Sequence, residues 1–310
     1  MSTSDQNPSP PGEITMAVIG CGTMGIAILS GILTSLASPS APLPPSIPTR
    51  FIAAVRSPAS AARVTAALSP LAQNPPVQVL HNSNLAAIQS ASIILLACKP
   101  YLASEILSAP GIAAALTSKT LISILAGVTT AQLTALVPPS VRVIRAMPNT
   151  ASVIRESMTV LATPLPDAAT AAVAEWIFSQ VGAVVQLPAS SMDASTALCG
   201  SGPAFFALVL EAAVDGAVAM GLPRAEAQRM AAQTMKGAAA MVLGGEHPAL
   251  LREKVTTPGG CTIGGLLVLE EGRVRGTVAR AVREATVVAG ELGKGVQGVN
   301  GTRFAGGAQL

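Results

Sequence analysis

The first part of the chain alternates short apolar runs with longer segments that have the apolar and polar spacing of helices. Continuous apolar runs, such as ITMAVIG at residues 14–20 and FIAAV at residues 51–55, are typical of parallel strands that are buried on both faces. The runs VQVL, SIILLAC, TLISIL and VRVIRAM follow, with alanine-rich helical segments between them. This alternation predicts an α/β fold with a doubly wound parallel sheet.

The strand pattern stops after SMTVLATP and GAVVQL, and the remainder up to residue 292 is helical, with breaks at glycine and proline residues. We therefore predict an N-terminal α/β domain at residues 14–187 and an all-helical domain at residues 188–292. Three further segments have compositions that do not suit regular elements. They are a disordered N-terminus at residues 1–13, a proline-rich surface insertion at residues 38–48 and a flexible tail at residues 293–310.

Composition narrows the classes of partner. The formal net charge is +3 and only 11% of residues are charged, which is too little to indicate a polyanionic partner. With one Trp and one Tyr, the chain also has no aromatic platform on which bases stack. We therefore expect no nucleic-acid partner.

The cysteines and the apolar stretches indicate the compartment. Cysteine positions 21, 98, 199 and 261 have no paired spacing, so we predict neither a metal site nor a disulfide framework, but buried free thiols in a reducing compartment. The N-terminus has no basic segment followed by an apolar one. The most apolar stretch, residues 204–221, contains Glu211 and Asp215, which favours a core helix over a membrane span. These features predict a cytoplasmic protein without a membrane partner.

The segment GCGTMG at residues 20–25 directly follows the first predicted strand and opens a helix. Three glycines alone also form ordinary turns, but this order of strand, turn and helix is the context that a dinucleotide requires. The glycines allow a tight turn and close approach of the backbone to a pyrophosphate, whose charge then lies at a helix N-terminus. We predict a dinucleotide-binding domain with contacts from Gly20, Gly22, Thr23, Met24 and Gly25.

The end of the second strand indicates which dinucleotide is bound. Enzymes that use NAD usually place an acidic residue there for the ribose hydroxyls, whereas this chain has AAVRSPAS at residues 53–60. Arg56 and Ser57, with Arg63 further along, favour the 2′-phosphate of NADPH, and NADH is the alternative cofactor. The alternative interpretation of Arg56 is a solvated loop charge.

Three further strand ends are expected to surround the nicotinamide, because ligands of open α/β sheets lie at the carboxyl ends of the strands. These ends carry ACKP at residues 97–100, AGV at residues 126–128 and RAMPNT at residues 145–150. Lys99 supplies a flexible charge at this edge. Its alternative interpretation is an exposed surface lysine.

The lysines and histidines indicate the type of reaction. A hydroxyacid dehydrogenase generally uses Lys or His to take the hydroxyl proton, but there is no lysine between Arg155 and Lys236. Both histidines, His81 and His247, are expected to be structural or solvent-exposed. A substrate that carries its own protonated nitrogen does not need such a proton-accepting residue, so the sequence favours an imine.

The motifs IGCGTMG, ACKP, AGV, RAMPNT, CGSGPAFF and LREKVTTPGGCTIGGLLVLE occur in the order seen in pyrroline-5-carboxylate reductases, and the resemblance covers residues 14–292. It implies a Rossmann-type domain followed by a helical dimerisation domain that interlocks with a second subunit, in a homodimer or a larger homo-oligomer. It also implies NAD(P)H-dependent reduction of the small imine L-1-pyrroline-5-carboxylate to L-proline, the final step of proline biosynthesis. The chain departs from the family pattern in the proline-rich insertion and at Cys261, where threonine or alanine is common.

The resemblance also implies roles for particular residues. Asn84 matches an asparagine that contacts the cofactor ribose and phosphate, and Lys99 matches a strand-end lysine near the cofactor. Thr257 and Thr262 match hydroxyl positions at the substrate, so Thr262 and Lys99 are the predicted catalytic residues. The cofactor contacts implied at the later strand ends are Ala97, Lys99, Pro100, Met147, Pro148 and Asn149.

The segment TTPGGCT at residues 256–262 interrupts two predicted helices. We expect the N–H groups of Gly259, Gly260, Cys261 and Thr262 to converge on the substrate carboxylate, helped by the dipole of a helix that starts at Thr262. The Thr262 hydroxyl then meets the ring nitrogen, and Cys261 is a bystander because no histidine lies near it in sequence. The alternative is a helix–helix connection that Thr262 caps.

The resulting hypothesis is direct hydride transfer from C4 of NADPH to C5 of the pyrroline ring, with proximity as the main source of catalysis. Its rivals are a reductase of another imine, a β-hydroxyacid dehydrogenase and a non-catalytic NADP(H)-binding regulator that kept the fold. The missing lysine counts against the dehydrogenase. The regulator predicts nucleotide binding without turnover.

Overall fold

The computed structural model describes residues 13–39, 46–71, 76–294 and 296. Except for Glu13, the predicted disordered N-terminus lies outside the described residues. So do residues 40–45 of the proline-rich insertion and most of the predicted tail. The predictions for these three segments therefore stay predictions.

One sheet contains the strands of the described residues. They are β1 (Thr15–Ile19), β2 (Arg50–Val55), β3 (Val77–His81), β4 (Ile93–Leu96), β5 (Thr120–Ser123), β6 (Arg142–Met147), β7 (Ser157–Thr163) and β8 (Gly182–Pro188). Their order across the sheet is β3-β2-β1-β4-β5-β6-β7-β8, and β1 to β6 run parallel, as predicted. The strand order changes direction between β1 and β4, which is where open α/β sheets bind their ligands.

The last two strands depart from the predicted parallel arrangement. Strand β7 pairs antiparallel with β6, and β8 pairs in parallel with β7. Only a short 3₁₀ turn, Thr150–Ile154, lies between β6 and β7. A parallel neighbour needs a crossover of a dozen residues or more, so this short connection suits an antiparallel pair.

Thirteen α-helices lie in the described residues, and those after β8 confirm the helical second half. They are α1 (Thr23–Ala37), α2 (Pro58–Leu68), α3 (Asn84–Gln89), α4 (Ala103–Leu107), α5 (Ile112–Leu116), α6 (Thr130–Ala135), α7 (Ala168–Ser179), α8 (Met192–Ser195), α9 (Gly202–Ala219), α10 (Arg224–Leu243), α11 (Pro248–Lys254), α12 (Cys261–Glu271) and α13 (Val274–Gly293). A single π-helical turn, Thr196–Gly200, joins α8 to the segment before α9.

Two apolar cores cover the two faces of the sheet. Side chains alternate along a strand, so Met16 and Val18 of β1 pack on one face with Ile28 of α1, while Ala17 and Ile19 pack on the other. Every residue of β1 is buried. This burial on both faces explains why the first strand has a continuous apolar run rather than an alternating one.

The described chain packs into two compact units. The first contains the sheet, the chain up to Gly200 and the chain from Thr286, and the second is Ser201–Ala285. The segment before Gly200 belongs with the sheet because Met192 is fully buried in a cluster with Met147 of β6. The two compact units therefore separate about a dozen residues after the predicted domain boundary at residue 188. That boundary between a nucleotide-binding and a substrate-binding domain stays a prediction.

The helices of the second unit expose large apolar side chains, among them Leu208 at 67% and Met230 at 56%. The helical run Ala189–Ala219 is long and apolar enough to cross a membrane by length and composition, and 17% of its apolar window is buried within the single chain. A membrane helix and a helix whose apolar face is covered by another protein chain can have the same length and composition. The absence of a membrane partner therefore stays a prediction.

The hydroxyl of Thr159 in β7 is fully buried without a hydrogen-bond partner among the described residues. Such a hydroxyl costs about 1–3 kcal/mol of stability. Thr159→Val keeps the side-chain shape and removes the hydroxyl, so it should raise the free energy of unfolding, by about 1 kcal/mol, in urea titrations. The matched control is Thr170→Val, because the Thr170 hydroxyl donates to Asp167 Oδ2 at 2.7 Å and its loss should destabilise the protein. A less stable Thr159→Val protein would contradict this account.

Candidate functional site

The turn after β1 is held between two neighbouring strands. The N–H groups of Gly20 and Cys21 both donate to the carbonyl oxygen of Ala54 in β2, at 2.9 and 3.0 Å. Gly20 has a φ of +78°, and a Cβ atom there would lie 2.6 Å from the Cα atom of Cys98, just after β4. Only glycine fits this position. A ligand at the end of β1 therefore meets a rigid backbone.

The other two glycines of the turn are explained differently. At Gly25, a Cβ atom would lie 2.9 Å from Cγ1 of Val18, so glycine lets α1 pack closely on β1. Gly22 has a φ of −93°, and a Cβ atom there would lie 3.8 Å from the Gly20 oxygen, an ordinary contact. Nothing in the described residues requires glycine at position 22. Its missing side chain leaves room for a ligand, as the second glycine of a dinucleotide turn does for the pyrophosphate.

The N-terminus of α1 fits an anion. No side chain caps this helix, and its first turn contains no acidic residue. The first N–H groups of a helix have no acceptor within it, and the helix dipole adds partial positive charge there. Thr23 is exposed and Met24 is half-buried at this end. The predicted phosphate contacts of both residues are compatible with these positions.

The end of β2 presents positive charge and hydroxyl groups. Arg56 is exposed, and Ser57 is the N-cap of α2, where its Oγ accepts from the N–H of Ser60 at 3.3 Å. Its hydroxyl also donates to Ser60 Oγ at 3.1 Å. Arg63 is exposed, and its charge acts on Cys21 in the glycine turn. This end of the sheet therefore combines two guanidinium groups with a helix N-terminus and has the chemistry of a phosphate site.

The two cysteines beside the turn are poor nucleophiles. Burial raises the pKa of Cys21 to about 12, although the Arg63 guanidinium opposes the rise. Burial also raises the pKa of Cys98 to about 11. Both thiols therefore stay protonated at neutral pH, and packing explains them better than chemistry.

The segment after β4 follows the predicted arrangement of a strand end. Ala97 is half-buried, while Lys99 and Pro100 are exposed and Pro100 opens a short 3₁₀ turn. Asn84 is half-buried as the first residue of α3. The far end of α3 is held by Lys119, whose Nζ donates to the carbonyl oxygens of its last residues at 2.5 and 3.0 Å. The C-terminal end of α3 is thus fixed to the residue that precedes β5.

The side chain of Asn149 has a structural task that the sequence did not indicate. Its Nδ2 donates to the carbonyl oxygen of Cys199 at 3.0 Å, and its Oδ1 accepts from the N–H of Ala151 at 3.0 Å. Met147, at the end of β6, is buried, and its Cε lies 3.5 Å from where a Cβ of Gly200 would be. Pro148 connects these two residues. The predicted contacts of this segment with the nicotinamide stay predictions.

The loop between α11 and α12 corrects the sequence account in two details. Helix α12 begins at Cys261, with Gly260 as N-cap, and not at Thr262. The N–H of Gly260 is not free for an anion, because it donates to the carbonyl oxygen of Thr257 at 3.1 Å. Pro258 and Gly259 are the central residues of the resulting turn, and Gly259 has a φ of +68°, which favours glycine. The N–H groups of Cys261 and Thr262 remain available at the first turn of α12, which no side chain caps.

The prediction for the thiols fails at one cysteine, whereas the prediction for the two histidines agrees with the structure. Cys261 is exposed, and Cys98 and Cys199 are half-buried, so the prediction of buried thiols is wrong for Cys261. Cys261 is the first residue of α12, and the loop before it does not cover its side chain. His247 caps α11 by accepting the N–H of Ala249 at its Nδ1, at 3.2 Å, and His81 is exposed, as expected.

A charged residue that sequence reasoning passed over is buried at the same edge. Arg145 of β6 is 4% exposed, and its Nη2 lies 4.0 Å from Oδ1 of Asp193 in α8. The signal was present in the strand VRVIRAM, where an arginine falls within an apolar run. The AGV loop at residues 126–128 was expected to lie beside the nicotinamide. The end of α13 lies against this loop, because a Cβ at Gly293 would be 2.8 Å from the oxygen of Gly127, while Ala126 is exposed.

The first unit holds every predicted nucleotide contact, at the ends of β1, β2, β4 and β6 and the start of α3. The predicted substrate residues, 257–262, lie in the second unit. The nucleotide residues therefore share one unit, as the resemblance implies.

Two family models match parts of the chain. The model of pyrroline-5-carboxylate reductase dimerisation matches residues 189–292, and the model of coenzyme F420-dependent NADP oxidoreductases matches residues 15–127. A pyrroline-5-carboxylate reductase of Lophium arboricola is 64% identical over 313 residues, which cover 94% of this chain and 97% of the relative. That of Neurospora crassa is 60% identical over 323 residues, with 94% and 97% covered.

The chain belongs to the pyrroline-5-carboxylate reductase family. The resemblance drawn from the motifs is therefore confirmed. The solved structure of a Plasmodium falciparum pyrroline carboxylate reductase with NADP bound has a TM-score of 0.76 and 27% identity, and the match covers 91% of this chain and 99% of that one. The predicted fold class, a Rossmann-type sheet followed by a helical dimerisation region, is confirmed as well.

Gly22→Ala should separate cofactor binding from folding. A Cβ at position 22 meets only an ordinary contact in the protein but occupies the space left for a pyrophosphate. We expect an unchanged melting temperature and an NADPH dissociation constant raised about tenfold or more, or about 1.4 kcal/mol. NADPH fluorescence titration measures the dissociation constant.

The matched control is Gly25→Ala, which places a Cβ 2.9 Å from Val18 Cγ1 and should lower the melting temperature. Tight NADPH binding by Gly22→Ala would show that the pyrophosphate does not lie over this residue.

Proposed function

We propose that this protein reduces L-1-pyrroline-5-carboxylate to L-proline with NAD(P)H, the final step of proline biosynthesis. The observation that carries the proposal is the 64% identity, over 94% of the chain, to a protein named pyrroline-5-carboxylate reductase. The glycine turn with its open position at Gly22 and the uncapped start of α1 support a dinucleotide-dependent reaction.

The residues at the carboxyl ends of the parallel strands fit a nicotinamide dinucleotide. When bound, the cofactor supplies a hydride from C4 of its nicotinamide ring. The backbone of the glycine turn and the start of α1 bind the pyrophosphate, and the later strand ends orient the rest. We assign cofactor contacts to Gly20, Gly22, Thr23, Met24, Gly25, Arg56, Ser57, Asn84, Ala97, Lys99, Pro100, Met147, Pro148 and Asn149.

NADPH is the preferred cofactor in this proposal. Residues 50–69 contain no Asp or Glu that could accept hydrogen bonds from the ribose hydroxyls of NADH. Arg56 is exposed at the end of β2, and the charge of Arg63 acts on the glycine turn. Two guanidinium groups and the N-terminus of α2 together favour the doubly charged 2′-phosphate.

The substrate carboxylate is assigned to the start of α12. The N–H groups of Cys261 and Thr262 and the helix dipole attract an anion, while the turn at residues 257–260 shapes the loop before them. The Thr262 hydroxyl oxygen accepts a hydrogen bond from the protonated ring nitrogen of the substrate. The proposed substrate-binding residues are Thr257, Gly259, Gly260, Cys261 and Thr262, of which Gly260 only lines the loop because its N–H donates to Thr257.

Reduction of the ring carbon C5 requires a polarised carbon–nitrogen double bond. A protonated ring nitrogen draws electrons from C5, and the hydride adds there to give proline. Thr262 orients that nitrogen, and Lys99 keeps the role beside the cofactor that the sequence predicts. Proximity and orientation supply most of the rate, because the chemistry needs no nucleophile from the protein.

The protein works as a homo-oligomer in this proposal, as a homodimer or a larger assembly that forms through its helical domain. The family's dimerisation model matches residues 189–292, and this part of the chain exposes apolar side chains such as Leu208 and Met230. Covering such a surface with a second copy removes apolar area from water. Location in the cytoplasm is also part of the proposal.

The decisive experiment follows absorbance at 340 nm with L-1-pyrroline-5-carboxylate and either NADPH or NADH at equal concentration. We expect oxidation of both nucleotides, with higher kcat/KM for NADPH. Binding of NADPH without turnover would reject the reaction and favour a regulator or another imine substrate.

The control for cofactor preference is Arg56→Ala. Its kcat/KM with NADPH should fall about 10-fold, since one charge-assisted hydrogen bond is lost, whereas kcat/KM with NADH should not change. Equal losses with both cofactors would show that Arg56 does not bind the 2′-phosphate.

Thr262→Ala should lower kcat/KM for the imine by about 10- to 150-fold, corresponding to about 1.5–3 kcal/mol for a hydrogen bond to a charged group. The melting temperature should not change, because the side chain is only half-buried and its hydroxyl makes no hydrogen bond within the described residues. Thr262→Ser is the matched control, since it keeps the hydroxyl and should retain most of the activity. Full activity of Thr262→Ala would exclude this role.

A further inference from the structure

Arg145 is a charged side chain inside the apolar layer that covers the sheet. It is 4% exposed, and its Nη2 has no hydrogen-bond partner among the described residues. Asp193 supplies a negative charge 4.0 Å away, and its own side chain is 43% exposed. Burial lowers the pKa of Arg145, and Asp193 opposes that effect. A pair with such geometry contributes little stability, and replacing both partners of a buried ion pair with apolar residues is often neutral or stabilising.

The position of Asp193 is fixed from its other side. A Cβ at Gly290 of α13 would lie 3.1 Å from Oδ2 of Asp193. This distance is shorter than an ordinary contact, so the missing side chain at position 290 helps α13 to approach the carboxylate. Asp193 therefore lies between α13 and the guanidinium of Arg145.

A second connection joins the same two segments beyond Met147. The Nδ2 of Asn149 donates to the carbonyl oxygen of Cys199, in the π-helical turn that follows α8. Single π-helical turns within a helical run are frequent at functional sites. Met147 lies between the two connections, with its Cε 3.5 Å from where a Cβ of Gly200 would be. The end of β6 is thus tied to α8 and its π-helical turn on both sides of Met147.

We propose that Arg145 and Asp193 are a positioning pair for the nicotinamide. They hold α8 against the end of β6, so that the π-helical turn and Asn149 fix residues 147–149. The inference rests on the proposed function, which assigns these residues to the nicotinamide. Hydride transfer requires the reacting atoms to be about 3–3.5 Å apart, and a misplacement of about 1 Å costs about 100-fold in rate.

The test replaces Arg145 with methionine, which has a similar length and no charge. Arg145→Met should keep or raise the melting temperature, because it removes a buried, poorly paired charge and the Asp193 carboxylate that remains is 43% exposed to water. Its kcat should fall about 10- to 100-fold, while the NADPH dissociation constant stays unchanged. The isotope effect measured with NADPH deuterated at C4 should increase, because hydride transfer then limits turnover.

Arg142→Met is the matched control in the same strand. Arg142 lies at the opposite end of β6, is exposed, and donates from Nη2 to the carbonyl oxygen of Ser118 at 3.2 Å. This variant should leave kcat and the isotope effect unchanged. Arg145→Lys keeps a charge opposite Asp193 and should recover part of the activity that Arg145→Met loses.

Two results would overturn the positioning role. The first is an unchanged kcat and isotope effect in folded Arg145→Met protein. The second is an activity loss that follows only the loss of folded protein. If Arg145→Met does not fold, Asp193→Asn decides in the same way, since it removes the counter-charge and keeps the side-chain shape.

The fluorescence anisotropy of bound NADPH separates this inference from the proposed function, because it needs no imine substrate. Anisotropy of the nicotinamide should be lower in Arg145→Met than in wild type and Arg142→Met. If the wild-type protein binds NADPH but does not reduce the imine, the proposed function is rejected. The comparison of NADPH anisotropy between the three proteins can still be made in that case. Equal anisotropy in all three proteins would reject the positioning pair.

Discussion

The close approach of the turn after β1 to the ends of its two neighbouring strands is the constraint on which the proposed nucleotide site depends. The carbonyl oxygen of Ala54 accepts two backbone N–H groups from the turn, and Gly20 lies against the backbone of Cys98. These contacts fix the direction in which α1 leaves the sheet. Because the first N–H groups of α1 have no capping side chain, the same constraint sets the position of the proposed anion site.

The glycines of this turn show how folding and function are separated within one motif. Gly20 and Gly25 are required by close contacts inside the protein, whereas Gly22 is not. A motif match alone treats the three positions as equivalent. The contacts distinguish two glycines that preserve the fold from one that leaves room for a ligand, and this distinction makes the function of the motif testable by single substitutions.

Much of the first unit was predictable because its signals are local. Buried parallel strands produce continuous apolar runs, and the glycine turn follows its strand directly. The direction of β7 was not predictable in this way, since an apolar strand has the same pattern in either direction. The partners of Arg145 and Asn149 were also hidden, because Asp193 and Cys199 are distant in sequence and come close only in the fold.

The loop before α12 shows where a functional interpretation of sequence needs the structure most. Gly259 adopts a positive φ, and a Cβ at Gly260 would lie 2.5 Å from the Thr257 hydroxyl oxygen, so the local geometry favours both glycines. Their presence is therefore no evidence of contact with a substrate. The Thr262 hydroxyl, in contrast, makes no hydrogen bond within the described part of the chain and does not cap α12. Because the fold gives this hydroxyl no task, the case for substrate recognition in this loop depends on Thr262 and on the N–H groups beside it, rather than on the glycines that make the motif conspicuous.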